Sequence, residues 1–440
     1  MKGKVGYIFY KLKESVLFKQ SAIYLITEGI NKAIPFVLLP IISYYLTPTD
    51  YGVLTNFNVI TQIFAVFCYS ITTVIIPVMF FKLVRAELQK LISNIIVLNT
   101  IVAFVILIIV VTNNIHIENA TSISLKFQII AIITTVFASF TQVNLTLWRC
   151  EEKPWKFGLY HISQTTIDAC STLILVIVFL LGWTGRVYSM ACASIGFGLF
   201  SLFLLAKRGY LNVLISPKYI GVILSFCLPL LPHGLSFWIK SGADKLLLSN
   251  MCGLEQNGLY SVAMTFGAII SIFVTSFNNA FVPHLFKKLK SITPDCEMNI
   301  KISIVRQYRL LVLILFVFVI ISYLASVAFI KLVYQESYSG SLNYLPFIML
   351  GQLFMGFYSL FVNFLHYSQN TKVLGSITFG LTFIQIIVSY LLILRIGSIG
   401  SALSSAITSF VIFVSVSIYS NKVYPMPWRE LFKFKKNDRQ

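Results

Sequence analysis

Apolar runs long enough to cross a lipid bilayer recur along the chain from near residue 21 to residue 419. About 20 consecutive apolar residues in a helix span the hydrocarbon core of a bilayer, which is roughly 30 Å thick. Only 11% of the 440 residues are charged, and the mean hydropathy is +0.84. A soluble domain carries about 25% charged residues, because its surface faces water. The sequence therefore predicts an all-α, polytopic membrane protein.

Twelve such runs are present, and each is predicted to form one transmembrane helix. We number these spans 1 to 12 in chain order. They lie near residues 21–46, 52–79, 92–111, 124–147, 159–181, 187–206, 219–249, 256–282, 305–331, 343–366, 373–394 and 397–419. No stretch outside them is long enough to fold as a separate domain.

The basic residues are distributed unevenly between the loops on the two predicted sides of the membrane. With the flanking residues up to Arg309, the side that includes both termini holds 27 of the 34 Lys and Arg residues. The other side holds only Arg186 and Arg395 when Lys331 is counted with its span. Positively charged loops remain in the cytoplasm, so both termini are predicted to be cytoplasmic. Because the net charge of +19 is explained by these loops, it does not indicate nucleic-acid binding.

A repeat emerges when the sequence is compared with itself at an offset of 206 residues. LTPTDYGVLTNF (46–57) then aligns with CGLEQNGLYSVA (252–263), and without a gap Pro77 aligns with Pro283. The alternative to a true repeat is coincidence among apolar helices. A true repeat predicts two six-helix lobes in parallel orientation, an arrangement that secondary transporters use to build a site between the lobes. The predicted divisions are a cytoplasmic amphipathic segment (1–20), an N-lobe (21–206), an inter-lobe linker (207–218), a C-lobe (219–419) and a basic cytoplasmic tail (420–440).

Span 1 carries charged and polar residues that would share one helical face. Charges inside a span are costly and usually face a cavity or a partner. Glu28, Asn31, Lys32 and Pro35 follow the spacing i, i+3, i+4, i+7. Glu28 and Lys32 could simply neutralise each other. Alternatively, they line a cavity in which Lys32 meets an anionic ligand.

Span 7 shows a similar polar pattern together with two helix breakers. Pro229 and Pro232 are predicted to break or kink this helix. Lys245 lies nearer the outer boundary, where a lysine can extend to the interface. Lys240 and Asp244 form either a local pair or part of a cavity wall. The residues predicted to share a face are His233, Ser236, Lys240 and Asp244.

Other spans contain polar residues whose role the sequence leaves open. His161, Gln164 and Asp168 share a face of span 5. A lone carboxylate at Asp168, two turns from His161, could carry a proton. The amides are typical of interhelical hydrogen bonds, but they could also line the same cavity. These amides are Asn58 and Gln62 in span 2 and Asn278 and Asn279 in span 8.

Motifs for covalent or metal chemistry are absent from the sequence. There is no G-x-x-x-x-G-K-[ST] motif for ATP, no H-E-x-x-H motif, and no C-x-x-C or Cys/His cluster. The seven cysteines have no paired spacing, and most fall in apolar runs. We therefore expect no enzyme activity, no cofactor and no metal site.

Two segments of the sequence resemble a known family. Span 1 followed by LTPTDYG resembles the N-terminal signature of polysaccharide-export flippases, and GADKLLLSNMCGLEQNGLYSVA (242–263) resembles the junction between spans 7 and 8 in that family. Length, twelve spans and basic character match the O-antigen flippase (Wzx-type) branch of the MOP superfamily. That superfamily also contains the multidrug (MATE) exporters and the lipid II flippase.

The resemblance implies a function and a site. It implies a protein of the bacterial inner membrane that moves undecaprenyl-diphosphate-linked oligosaccharide repeat units, of O-antigen or a similar surface polysaccharide, to the periplasmic leaflet by alternating access. It also implies that spans 1, 2, 7 and 8 surround a cationic cavity, with Lys32, Lys240 and Lys245 as diphosphate contacts. The predicted site is completed by Asn31, Asn58, Gln62, Asn278 and Asn279, with Glu28, Asp168 and Asp244 as candidates for ion coupling or charge pairing.

The expected partners follow from this function. They are the lipid-linked oligosaccharide, a coupling ion (H⁺ or Na⁺), anionic membrane lipids and the polysaccharide polymerase machinery, without nucleic acid. Two other functions remain as alternatives, namely a MATE-type drug or cation antiporter and a lipid II-type lipid flippase. An antiporter of cations would need a net acidic cavity, whereas the lysines of spans 1 and 7 outnumber Glu28 and Asp244.

Overall fold

A computed structural model describes residues 16–70, 72–212, 215–368 and 371–431. Within these ranges every regular element is helical, which confirms the all-α prediction. Most of the predicted amphipathic segment 1–20 and the end of the basic tail lie outside the described residues. In the described part of the chain, eleven helices are long and apolar enough to cross a membrane: Ile23–Ser43, Pro48–Phe80, Arg85–Thr112, Leu125–Cys150, Pro154–Val178, Gly182–Lys207, Leu254–Lys290, Glu297–Val333, Leu345–Tyr367, Val373–Ile396 and Ile399–Val423. They correspond to spans 1 to 6 and 8 to 12.

Span 7 is the remaining predicted span, and its helix is interrupted twice. Pro229 lies in a 3₁₀ turn, and a π-helical turn follows two turns later. Proline removes a backbone donor and clashes with the preceding turn, so the break that the sequence predicted is present. The consecutive segments are Pro217–Cys227, Leu228–Leu230 (3₁₀), Leu231–Trp238, Ile239–Ala243 (π) and Asp244–Cys252.

The chain divides into two compact units, Met1–Asn250 and Met251–Gln440. Span 7 therefore belongs to the first unit, whereas the predicted C-lobe began at residue 219. The reason is direct packing, since the Trp238 indole donates a hydrogen bond to the Val59 carbonyl of span 2 (2.9 Å). The packing of span 7 does not test which helices the sequence repeat pairs with each other. The two six-helix lobes therefore remain a prediction.

The LTPTDYG segment forms a tight start for span 2. The Thr47 hydroxyl accepts a hydrogen bond from the Asp50 amide (3.1 Å), and the Asp50 carboxylate accepts one from the Thr47 amide (3.0 Å). This reciprocal capping box, with Pro48 in the first helical turn, satisfies backbone donors that the helix leaves open. Span 8 begins at Leu254, 206 residues after Pro48, which matches the offset of the sequence repeat.

Spans 11 and 12 form a hairpin that depends on the absence of a side chain at Gly400. A Cβ atom there would lie 2.5 Å from the Leu392 carbonyl carbon and 2.6 Å from the Ile393 nitrogen. The turn itself contains Gly397 with φ of +68°, in the left-handed region that favours glycine. Spans 11 and 12 are therefore in direct backbone contact at Gly400.

We expect Gly400→Ala to lower the free energy of unfolding by about 2 kcal/mol, because the added methyl group meets backbone that cannot move away easily. The matched control is Gly380→Ala on span 11, where a Cβ would have no neighbour within 4 Å. That control is expected to gain up to about 1 kcal/mol from helix propensity. Thermal unfolding of the purified protein in detergent measures both. Equal melting temperatures for the two variants would contradict the close approach.

Candidate functional site

The polar face predicted for span 1 is divided in the structure. Asn31 is 8% exposed and Thr27 2% exposed, whereas Glu28 and Lys32 are exposed. Successive residues of a helix are about 100° apart, so Glu28 and Lys32 lie beside the buried stripe rather than on it. Asn31 is thus inside the packed unit, and Lys32 is on its surface.

The buried stripe of span 1 packs against span 5. The Tyr24 and Phe157 rings are 5.2 Å apart, edge to face. A Cβ at Gly158 would lie 2.6 Å from the Thr27 hydroxyl oxygen, so the two helices approach closely at this glycine. His161 lies one turn further along span 5, with its ring 5.6 Å from that of Phe157. We call this contact the span 1–span 5 seam.

Asp168 is held in an ion pair, so it is not the lone carboxylate that the sequence suggested. An Arg186 Nη1 lies 2.8 Å from its Oδ1 and also donates to the Thr172 hydroxyl (2.6 Å). The Ser189 hydroxyl lies 2.9 Å from the same carboxylate oxygen. Because the sequence placed Arg186 in a loop, this pair across the span 5–span 6 hairpin was missed.

Lys240 lies in the π-helical turn of span 7 and is half-buried. The same turn contains Gly242, whose Cβ would lie 3.0 Å from the Val59 side chain of span 2. Span 2 carries Asn58, half-buried, and Gln62, exposed, on either side of this contact. The structure therefore brings the span 2 and span 7 candidates onto two adjacent helices of the first unit.

The predicted face of span 7 assumed a regular α-helix, and the π-helical turn interrupts that regularity. A π turn contains one more residue than an α turn and so rotates the side chains that follow it. Asp244, just beyond the turn, is 5% exposed, whereas Ser236 and Lys245 are half-buried. For His233, only the backbone is described. Lys240, Asp244 and Lys245 remain close in sequence, but Asp244 points more deeply into the unit.

The two amides of span 8 lie in the second unit. The Asn278 side-chain oxygen accepts a hydrogen bond from the Asn363 amide of span 10 (2.9 Å), while Asn279 is exposed. Asn278 also borders a cavity of about 20 Å³, enough for roughly one water molecule. The other lining residues are Phe273, Val274, Phe277, Leu311, Ile314, Leu315, Gly356, Ser359 and Leu360.

One fully buried amide near the predicted outer end of the first unit was not recognised from the sequence. Asn56 donates hydrogen bonds to the Thr121 carbonyl (2.7 Å) and to the Ser249 hydroxyl (2.8 Å). Asn250 likewise donates to the Ala120 carbonyl (2.7 Å). These bonds connect span 2 and the end of span 7 to the short helix Asn114–Thr121. The sequence gave little indication of this role, because Asn56 and Asn58 are the same residue type in the same span and differ only in the side of the helix on which they lie.

A charged cluster at the opposite end of the first unit was also missed. Arg208 forms an ion pair with Glu151 and donates to the Asn144 side chain (2.5 Å). The Tyr210 hydroxyl donates to the same Glu151 carboxylate (2.5 Å). Burial raises the pKa of Glu151, but hydrogen bonds from Lys153, Tyr210 and Arg208 and the Arg208 charge outweigh burial, so the pKa lies below its ordinary value.

The segment that follows Arg208 is fixed to span 3 by its backbone. The Arg85 guanidinium donates to the Arg208 carbonyl and the Gln89 amide to the Gly209 carbonyl, both at 2.6 Å. The backbone amides of Asn212 and Ser216 donate to the side chains of Ser93 (2.6 Å) and Asn94 (2.9 Å). We call Arg208, its partners and these backbone contacts the linker clamp. It falls within the predicted inter-lobe linker.

Comparison with known proteins identifies the family. Residues 17–289 match the family described as polysaccharide biosynthesis protein, and the chain belongs to this family. The "Lsg locus putative protein 1" of Haemophilus influenzae is 25% identical over 283 residues, which cover 62% of this chain and 67% of that protein. An "uncharacterized membrane protein" of the same organism is 22% identical over 361 residues, covering 81% and 85%.

Two solved membrane transporters share the fold of this chain. The lipid II flippase MurJ in an inward closed conformation has a TM-score of 0.71 at 14% identity, covering 93% of this chain and 89% of that chain. An inward-facing MATE multidrug transporter has a TM-score of 0.62 at 14% identity, covering 91% and 97%. The family match and the shared fold agree with the resemblance found in the sequence, and the chain is a polytopic membrane protein of the polysaccharide biosynthesis family.

Proposed function

We propose that the chain moves undecaprenyl-diphosphate-linked oligosaccharide repeat units from the cytoplasmic to the periplasmic leaflet of a bacterial inner membrane. The observation that supports this substrate is the excess of cationic side chains in spans 1 and 7. Lys32, Lys240 and Lys245 stand against Glu28 and Asp244 within a family of polysaccharide biosynthesis proteins. A dianionic head group requires that sign of charge.

The physical task explains why such a protein needs polar groups within its spans. A diphosphate-sugar head group loses its hydration in hydrocarbon, whereas its lipid tail is already soluble there. A half-buried lysine such as Lys240 supplies a point charge and three donors to a phosphate. Alternating access then needs no covalent chemistry. The loop charges orient the chain with both termini in the cytoplasm, where lipid-linked sugars are assembled.

We expect Lys240→Glu to reduce surface polysaccharide at least about tenfold, since a carboxylate facing a diphosphate costs more than about 1.4 kcal/mol. The assay restores the gene to a deletion strain and measures polymer at matched protein level. Lys331→Glu is the control, an exposed lysine in the last turn of the span 9 helix. Wild-type polymer in the Lys240→Glu strain would argue against the assigned role of this lysine.

The same deletion strain separates this function from the alternatives. Restoration of surface polysaccharide by the wild-type gene supports the proposal. Drug resistance without restored polymer would indicate an antiporter instead, and rescue of cell-wall synthesis would indicate a lipid II-type flippase. Asn58, Gln62 and Asn279, whose side chains are half-buried or exposed, are proposed as sugar contacts, whereas Asn31 is buried against span 5 and Asn278 is hydrogen-bonded to Asn363.

A further inference from the structure

We propose that spans 5 and 6 bind one anionic phospholipid of the predicted periplasmic leaflet, with its phosphate at Lys126 and one acyl chain in a groove between the two spans. This inference goes beyond the proposed function. It concerns a bilayer lipid that the protein holds, and not the molecule that the protein moves.

The groove between spans 5 and 6 has a volume of about 450 Å³. Span 5 lines it with Ile167 and Ser171. Span 6 lines it with residues one helical turn apart, Cys192, Gly196 and Phe200. The Ile167 side chain is 52% exposed and that of Phe200 is 48% exposed, so the groove opens away from the packed interior.

The chemistry of the groove suits hydrocarbon better than water. Its hydroxyl group, that of Ser171, donates to the Ile167 carbonyl (2.5 Å) and lies 3.0 Å from the Ser189 hydroxyl. A cavity holds ordered water only where polar groups are available to bind it. A Cβ at Gly196 would have no neighbour within 4 Å, so the groove is unfilled there. Because spans 5 and 6 cross the bilayer, a lipid chain can enter this space and supply the missing contacts.

The length of the groove matches a chain that belongs to one leaflet. At its inner end the Phe200 ring is stacked on the Tyr160 ring, with 6.0 Å between the ring centres. Tyr188 lies near the outer end of span 6, and twelve residues of helix separate it from Phe200, about 18 Å. Half of the hydrocarbon core is about 15 Å thick. A phospholipid chain has this reach, whereas an undecaprenyl tail is longer than one leaflet.

A cationic and aromatic cluster lies where the head group of such a lipid would be. The Lys126 ammonium group donates to the Tyr188 hydroxyl (2.7 Å) and lies 5.5 Å from the Phe127 ring centre. The Phe127 and Trp183 ring centres are 4.5 Å apart. Tyrosine and tryptophan are typical of the interface between membrane and water. The cluster therefore lies at the level of the lipid phosphates.

The charge of this cluster selects an anionic lipid. Lys126 is exposed, and in the described part of the chain none of the ion pairs includes it. An ammonium group has three donors, so two remain for a phosphate after the bond to Tyr188. Arg186 adds no net charge nearby, because it is paired with Asp168. Tyr188 and Cys192 are one turn apart on span 6, so a phosphate at Lys126 places the chain at the outer end of the groove.

The first test measures lipid binding by native mass spectrometry of the delipidated full-length protein in detergent, titrated with phosphatidylglycerol. We expect Gly196→Phe to weaken binding of the first lipid at least about fivefold, because the ring occupies the groove. Gly380→Phe on span 11 is the matched control, an exposed helical glycine whose Cβ would also have no neighbour within 4 Å. Equal affinities for these two variants would overturn the proposal.

The head-group contact is tested by the same titration. We expect Lys126→Gln to weaken phosphatidylglycerol binding about fivefold, the effect of one basic residue on an anionic lipid. Lys331→Gln is the control, since this lysine is also exposed and lies in the last turn of the span 9 helix. Wild-type affinity in Lys126→Gln would overturn the assignment of the phosphate.

A second test locates the chain and distinguishes two sources of lipid. In a variant that keeps only Cys192, phosphatidylglycerol should slow modification by a membrane-soluble maleimide at least about fivefold. A variant that keeps only Cys170 is the control, because this thiol is exposed but does not line the groove. Better protection of Cys192 by undecaprenyl phosphate would assign the groove to the tail of the proposed substrate. Equal protection by phosphatidylethanolamine would remove the requirement for an anion. Either result overturns the proposal.

Discussion

Replacement of Arg186 by methionine is expected to lower the free energy of unfolding by about 3 kcal/mol. The side chains of Arg186 and Asp168 are only 16% and 20% exposed in their ion pair. Without the guanidinium, the carboxylate keeps one hydroxyl donor, Ser189, and the Thr172 hydroxyl loses the guanidinium that donates to it. An uncompensated charge within a span is costly, so the loss exceeds that of an exposed pair.

A double variant distinguishes loss of the pair from loss of arginine packing. In Asp168→Asn/Arg186→Met both charges are absent, and we expect most of the lost stability to return. Thermal unfolding in detergent and the yield of monodisperse protein measure the effect. Arg395→Met is the control, because this arginine is exposed in the last turn of span 11. A single variant as stable as the wild type, or a double variant no better than the single one, would contradict this account.

The membrane architecture could be predicted from the sequence because the bilayer restricts the choices. Backbone groups in hydrocarbon must be satisfied within the segment, so each long apolar run is a helix. Span 7 shows where this reasoning reaches its limit. Pro229 and Pro232 predicted a break in this helix, but nothing in the sequence indicated the π-helical turn that contains Lys240. A prediction that assumes a regular α-helix through such a turn gives the wrong angle around the helix for the residues beyond it, such as Asp244.

The candidate site was less predictable than the fold because side-chain roles depend on neighbouring helices. Asn31 and Lys32 are adjacent in sequence, yet one is buried in the seam and the other is exposed. Similarly, Asp168 looked unpaired until its partner Arg186 was found on the next helix. Helical periodicity gives the relative angle of two residues, but not which side of the helix is covered.

Arg208 is the central side chain of the linker clamp at one end of the first unit. Arg208→Ala removes the ion pair with Glu151, the hydrogen bond to Asn144 and a stacking contact in which the guanidinium lies 5.2 Å from the Trp148 ring centre. We expect a loss of about 3 kcal/mol, because Glu151 would stay partly buried without its main cation. Lys207→Ala is the matched control, an exposed neighbour in the last turn of span 6.

The lowered pKa of Glu151 gives this cluster a definite pH dependence. A carboxyl group whose pKa is lower in the folded than in the unfolded protein stabilises the fold above its ordinary pKa, 4.5. That contribution is lost as the pH falls through the lower, folded-state value. The melting temperature of the wild type should therefore fall more steeply below pH 4.5 than that of Glu151→Gln. Parallel acid profiles for the two proteins would show that Glu151 is not stabilised by its cations. The clamp joins span 3, span 4 and the start of span 7. Limited proteolysis along the same acid profile should therefore cut first within residues 208–212.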